Sequence, residues 1–242
     1  MNVGIIGVGQ MGKNHLRVIN SFKKNIGRVF IYDANTEVSN YFAYIYNVNQ
    51  CNSIKSLLEK VDAVIIATPS STHYEIAKLC LDSNKDIFIE KPITSKINEA
   101  LQLVNLIDKT NCICMVGHIE RFNPAILYMQ EYIKGKEIKH ITCKRISKLD
   151  KNRNFDIDVI VDLMIHDIDI VLSIVNSKPN KLFSASYDDF IDSAQAILQF
   201  ENNTVATFNA SRSSNEKIRN LYIYTRDEDI IVNFLEASIE KI

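Results

Sequence analysis

Gly7-Val8-Gly9-Gln10-Met11-Gly12 decides the fold. The apolar run Asn2–Val8 enters it, and a helix-compatible segment leaves it toward Lys23. A G-x-G-x-x-G stretch says little alone; a strand before it and a helix after it make it a phosphate-binding turn. Gly7 permits the tight turn, Gly9 lets the backbone approach a pyrophosphate, and Gly12 allows the helix to lie close to the strand. The helix start then offers N–H groups and partial positive charge to an anion, with Gln10 and Met11 in its first turn. Asp33 closes a second strand, Val29–Asp33, where a carboxylate can accept from ribose hydroxyls and repel a 2′-phosphate. That predicts NAD in preference to NADP. A glycine turn without a ligand is the competing reading.

The chain has 242 residues, enough for one large core or two modest ones, and its 46% apolar and 24% charged content is that of a globular protein. A net charge of −1 without a polybasic run argues against nucleic-acid or anionic-membrane partners. No apolar run is long enough to span a bilayer and no secretory leader is legible, so a cytoplasmic protein is expected. Cys51, Cys80, Cys112, Cys114 and Cys143 form no Cys-x-x-Cys pair and are expected as core residues, with no metal site. Only seven glycines occur, and Gly4, Gly7, Gly9 and Gly12 are four of them, which adds weight to the opening turn.

Strands and helices alternate from residue 1 to about 120: helices at Glu37–Tyr46, Ile54–Leu58, Thr72–Asn84 and Ile97–Lys109, strands at Asp62–Ala67, Lys85–Ile89 and Ile113–Val116. This predicts an α/β, doubly wound parallel sheet with helices on both faces. After Pro124 the pattern changes. A helix (Ala125–Lys134), an extended segment (Glu137–Ser147) and a polar loop (Lys148–Phe155) precede a helix from Ile157 to Val175. Strand candidates follow at Lys181–Tyr187, Ser193–Phe200, Thr204–Ala210, Asn220–Thr225 and Asp229–Phe234, with hairpin connections at 201–203 and 226–228. The expectation is two domains: 1–120 dinucleotide-binding, and 121–242 of α+β class with a largely antiparallel sheet.

The helix from Ile157 carries Asp158, Asp162, His166, Asp169 and Ser173 at steps of four, four, three and four, hence on one stripe. The stripe reads either as a solvated face or as chemistry facing a cleft. Thr68, Pro69 and His73 lie where the third principal strand ends, the edge at which open α/β sheets bind ligands. His73 reads equally as a residue of the helix start. Glu90-Lys91-Pro92 ends a buried strand, a place where lysine is either paired or working; an ordinary rim ion pair is the plain alternative.

Together, Gly7-x-Gly9-x-x-Gly12, Ala67-Thr68-Pro69, Glu90-Lys91-Pro92 and Asp162-x-x-x-His166 resemble the Gfo/Idh/MocA family of NAD(P)-dependent sugar and polyol oxidoreductases. The resemblance runs from residue 1 to about 235. It implies Lys91, His166 and Asp162 as catalytic residues meeting beside the nicotinamide. It also implies a cofactor site of Gly7, Gly9, Gln10, Met11, Gly12, Asp33, Thr68, Pro69, His73, Glu90 and Lys91. The residue types suit the chemistry: a histidine titrating near neutrality can take a hydroxyl proton, an aspartate four residues before it can orient the ring, and a lysine can stabilise alkoxide charge. Sequence leaves open which of Lys91 and His166 is the base; His166 is taken here.

Gly117-His118-Ile119-Glu120-Arg121-Phe122-Asn123-Pro124 is similar to members acting on nucleotide sugars. That similarity implies oxidation of the 3-hydroxyl of a UDP-N-acetylated hexose, with His118, Arg121, Asn123 and Asp169 at the substrate. The alternative for Arg121 and Glu120 is that they pin the crossover between domains. The family further implies a homo-oligomer, dimer or tetramer, built through the second sheet. Met164 stands where many members have glycine, and relatives continue past residue 242, so the second domain is expected to be shortened. A degenerate non-catalytic nucleotide-binding protein, or a dehydrogenase of another sugar or polyol such as inositol, are the alternatives.

Overall fold

All four residues of the first strand, β1 (Val3–Ile6), are buried, as expected of a strand covered on both faces. The computed structural model describes residues 1–22, 26–148, 157–186 and 192–242. They form two compact units, Met1–Gly117 and His118–Ile242.

In the first unit β1 leads into α1 (Gln10–Ser21), followed by β2 (Val29–Tyr32), α2 (Thr36–Tyr46), β3 (Asn49–Gln50), α3 (Ile54–Leu58), β4 (Ala63–Ile66), α4 (His73–Asp82), β5 (Asp86–Ile89), α5 (Ile97–Ile107) and β6 (Cys114–Val116). The strands make one parallel sheet in the order β3-β2-β1-β4-β5-β6. The order reverses between β1 and β4, so the loops leaving these two strands diverge to opposite faces and open a crevice at the carboxyl edge. Local signals match the elements. Asn35 caps α2 through its side-chain oxygen, and Asn47 ends that helix in a left-handed conformation at φ 50°. The two-residue β3 is too short for a periodic signal and was not expected.

The second unit contains α6 (Pro124–Tyr132), β7 (Ile138–Lys148), a π-helical turn at Ile160–Met164, α7 (Ile165–Ile174), β8 (Pro179–Ser186), β9 (Ser193–Phe200), β10 (Val205–Ser214), β11 (Ile218–Thr225), β12 (Asp229–Asn233) and β13 (Ser238–Lys241). They form a seven-stranded sheet ordered β13-β12-β11-β7-β10-β9-β8, antiparallel except for the central β7–β10 pair. That parallel pair arises because β7 inserts between strands that follow it by sixty residues or more, which hairpin signals do not reveal. The expected polar loop falls from residue 149 outside the described residues, as does Tyr187. The expected single helix from Ile157 begins instead as a π turn, a form that recurs at functional sites.

Met164 is buried in the core of the second unit with Val159, Ile170 and Val171, where it fills volume beneath the helix. The cysteines behave as core residues: burial pushes the Cys80 thiol up to about 12 and the Cys114 thiol up to about 11, so both stay protonated at neutral pH. Among the described residues no group of three or more His, Cys, Asp or Glu could hold a metal ion, and no helix is long and apolar enough to cross a membrane.

A buried charge cluster fastens α7 to the sheet. Arg145 on β7, 1% exposed, donates through Nε and Nη2 to Asp167 and through Nη1 to Glu120 at 2.9 Å. Its guanidinium lies 5.0 Å from the centre of the Phe234 ring. Burial pushes the Asp167 carboxyl upward against the pull of Arg145, so the arginine is what sustains the charge there. Arg145→Ala is expected to destabilise the protein by about 3–5 kcal/mol, because it strands the Asp167 carboxylate in the interior, whereas Arg145→Met with Asp167→Leu recovers most of the loss. Urea unfolding midpoints at constant slope check this.

Candidate active site

Gly7 adopts φ +86°, a left-handed conformation in which a Cβ would also press on the Ala67 backbone at 2.7 Å. A Cβ on Gly12 would run into the carbonyl oxygen of Gly7, so α1 can lie this close to the turn only with glycine there. Gly9 differs: a Cβ there meets no protein atom within 4 Å, so the bare backbone faces open space. No side chain caps the start of α1 and no acidic residue lies in its first turn, which carries Gln10, exposed, and Met11, half-buried. Its N–H groups and positive end are therefore presented to an anion. Asp33 stands beside this turn, with Oδ2 accepting from Val8 N–H at 2.8 Å and Oδ1 from Asn35 N–H at 2.8 Å. Each oxygen keeps a second lone pair, so the carboxylate that shapes the loop can also accept from a ribose. These residues fit a dinucleotide.

The neighbouring strands bring the other expected residues to the same edge. Thr68 and Pro69 follow β4; the Thr68 hydroxyl oxygen lies 2.8 Å from that of Thr72. His73 opens α4 fully buried, with Nδ1 2.8 Å from the Pro92 carbonyl and Nε2 2.9 Å from the Thr68 carbonyl. Both ring nitrogens face backbone carbonyls, so His73 ties the loop after β4 to the Pro92 segment. Glu90, buried, and Lys91, half-buried, follow β5. Sequence reasoning missed the partner of Glu90: His15 on α1 lies with Nε2 2.6 Å from Glu90 Oε1.

In the second unit Asp162 is buried on the π turn, and its Oδ2 lies 3.5 Å from Nη1 of Arg212 on β10. Arg212 is itself buried, donates through Nε and Nη2 to Asp192 at 3.0 and 2.7 Å, and through Nη1 to the Ile157 carbonyl. It was not foreseen, although it continues the inward row Ala206, Phe208, Ala210 of its strand. His166 follows, half-buried, on the first turn of α7. Asp158 is structural, with Oδ1 accepting from Val161 N–H. Asp169 accepts both Nε and Nη2 of Arg121 at 2.6 Å, and its Oδ1 lies 3.8 Å from His118 Nδ1. Three of the four expected substrate residues thus form one cluster. Asn123 does not join it: its oxygen caps α6 at Ala125 N–H and its amide donates to the Phe234 carbonyl.

Residues 1–118 match the oxidoreductase family with an NAD-binding Rossmann fold, and residues 144–231 match the GFO/IDH/MocA C-terminal domain. The chain belongs to the Gfo/Idh/MocA family. It is 33% identical over 242 residues to the UDP-N-acetylglucosamine 3-dehydrogenase of Acidithiobacillus ferrooxidans, covering 99% of this chain and 76% of that one. A solved structure of that enzyme superposes with a TM-score of 0.91 at 33% identity, covering 100% of this chain and 79% of the other. The scyllo-inositol 2-dehydrogenase (NAD(+)) of Bacillus subtilis is 29% identical over 170 residues, 64% of this chain and 49% of that one. A levoglucosan dehydrogenase in complex with NADH and L-sorbose shares the fold at a TM-score of 0.91 and 21% identity, covering 100% of this chain and 75% of the other.

Gly9→Val separates folding from cofactor binding. Its side chain enters the space outside the turn, so the melting temperature is expected to hold while NADH affinity falls at least ~10-fold through lost pyrophosphate approach. Fluorescence titration with NADH checks this.

Proposed function

We propose that this protein is a cytoplasmic NAD-dependent dehydrogenase acting on a secondary alcohol of a sugar, the 3-hydroxyl of a UDP-N-acetylated hexose. The observation that carries the reading is Asp162: a buried carboxylate held by a buried arginine, four residues before a half-buried histidine. A buried ion pair returns little net stability, so this one is better explained by orientation of His166 than by the fold. Bound NAD supplies the hydride acceptor, held by Gly7, Gly9, Gln10, Met11, Gly12, Asp33, Thr68, Pro69 and Glu90. His166 takes the hydroxyl proton, Asp162 orients its ring and stabilises the imidazolium, and the Lys91 ammonium stabilises the developing alkoxide.

NAD is preferred to NADP because Asp33 already places negative charge where a 2′-phosphate would lie. The nucleotide-sugar reading is supported by the relative that shares a third of its residues over this whole chain, and by Arg121. Although Asp169 engages two of its nitrogens, the Arg121 side chain stays 47% exposed and can add a phosphate oxygen to the pair. Asp169 and His118 then set the guanidinium and the sugar hydroxyls. A polyol such as inositol is the second reading, favoured by the inositol dehydrogenases among the relatives. Assembly through the second sheet is supported by β8, whose Leu182 and Phe183 are exposed along a fully exposed strand.

The test is purified protein with NAD and a panel of UDP-N-acetylglucosamine, UDP-N-acetylgalactosamine and myo-inositol, followed at the NADH absorbance. Turnover is expected on a UDP-N-acetylated hexose, with lower kcat/KM on NADP. His166→Ala is expected to lower kcat by roughly two to four decades. Cofactor binding without turnover on any of these would count against the reading, as would a near-unchanged His166→Ala rate.

A further inference from the structure

Lys91 lies between two residues that are each bound by a histidine from a different helix. On its N-terminal side, the Glu90 carboxylate accepts from His15 Nε2 of α1 at 2.6 Å, and the His15 ring meets Phe88 edge-on with centroids 5.2 Å apart. On its C-terminal side, the Pro92 carbonyl bonds His73 of α4 at 2.8 Å, and the same ring reaches the Thr68 carbonyl at 2.9 Å. The ladder fixes the residue before: Glu90 N–H donates to the Ile66 carbonyl at 2.9 Å. Gly117 closes the remaining side, since a Cβ there would meet Phe88 at 3.1 Å and Glu90 Oε2 at 3.2 Å.

We propose that His15 and His73 are positioning residues, a two-sided clamp that fixes the backbone of Lys91 against the glycine-loop helix and the Thr68 loop. The inference rests on the reading of Lys91 as the group that stabilises alkoxide charge. Lysine has a flexible four-carbon stem, so the place of its Cα decides where the ammonium can reach, and a misplacement of about 1 Å can cost ~100-fold in rate. The clamp ties that place to the two elements expected to touch cofactor. His15 belongs to α1, whose N-terminus faces the pyrophosphate. His73 bonds the loop after β4. Neither histidine touches a reacting atom; each acts through the lysine.

Two measurements test the clamp. The first is amide exchange by mass spectrometry on the protein without cofactor. His15→Ala and His73→Asn are each expected to speed exchange of the peptide Ile89–Thr94 by at least ~10-fold while β1 stays protected. The second is a double-mutant cycle in kcat. Each variant is expected to lose roughly 10–100-fold alone and almost nothing further when added to Lys91→Ala, with NADH affinity changing less than kcat. His15→Gln, which keeps a donor toward Glu90, should restore most of the His15→Ala loss. Unchanged exchange in both variants overturns the clamp, and so do losses that add fully to Lys91→Ala. Faster exchange with a Lys91→Ala enzyme at the parental rate upholds the clamp and overturns the role given to Lys91. If His73→Asn does not fold, His15→Ala, on a side chain 18% exposed, carries both measurements.

Discussion

The carbonyl oxygen of Gly7 lies where a Cβ of residue 12 would be. That contact lets α1 sit directly on the turn that leaves β1, and much of the first unit's chemistry depends on the closeness. It aims the helix N-terminus at the crevice edge, brings Val8 N–H to Asp33, and carries His15 one turn further along to Glu90. A helix displaced by a methyl group would weaken all three contacts. The glycine turn therefore does more than expose backbone: it sets the register between α1 and β5, the strand that precedes Glu90 and Lys91.

The second unit solves a different problem, how to give each carboxylate set against the sheet a cationic partner. Two sheet arginines do this. Arg145 serves Asp167 and Glu120, and Arg212 serves Asp162 and Asp192. Taking such ions out of water offsets most of their mutual attraction, so the stability returned is small. What the pairs provide is direction. A helix resting on Leu and Ile alone can rotate by some degrees at little cost, whereas one anchored by a two-pronged guanidinium contact at Asp167 cannot. His166, on the residue before Asp167, inherits that fixed rotation.

Much of the fold was legible because its signals are local. The glycine spacing, buried strands at Asp62–Ala67 and Lys85–Ile89, and hairpin turns such as 201–203, where Asn203 takes φ 67°, each carry their cause within a few residues. The central β7–β10 pairing did not show, because its partners lie more than sixty residues apart and hairpin chemistry is silent about insertion. Among site residues, the stripe on α7 was visible as a period but its members divide by partner, not by position. Asp169 belongs to Arg121, and Asp167, beside the stripe and not on it, is the helix anchor. The arginines could have been found: Ile141, Cys143, Arg145 and Ala206, Phe208, Ala210, Arg212 are inward rows of period two that each end in a cation. A charge continuing an apolar row announces a buried acid elsewhere. His15 offered no such signal, since a lone histidine on a half-exposed helix face looks like any other.

The position of Met164 bears on whether the second unit is a working one. A glycine at that point would leave the helix free to approach whatever lies over its outer face, and a large side chain there would hold it off. Met164 instead points inward, among Val159, Ile170 and Val171, on the side opposite that obstruction. Its thioether is an adaptable filler, suited to the irregular volume that a π turn leaves beneath a helix. The same turn carries Asp162 and delivers the chain to His166. Methionine and π turn are then parts of one local solution: the turn carries the acid that faces Arg212, and the flexible side chain packs into the core beside it.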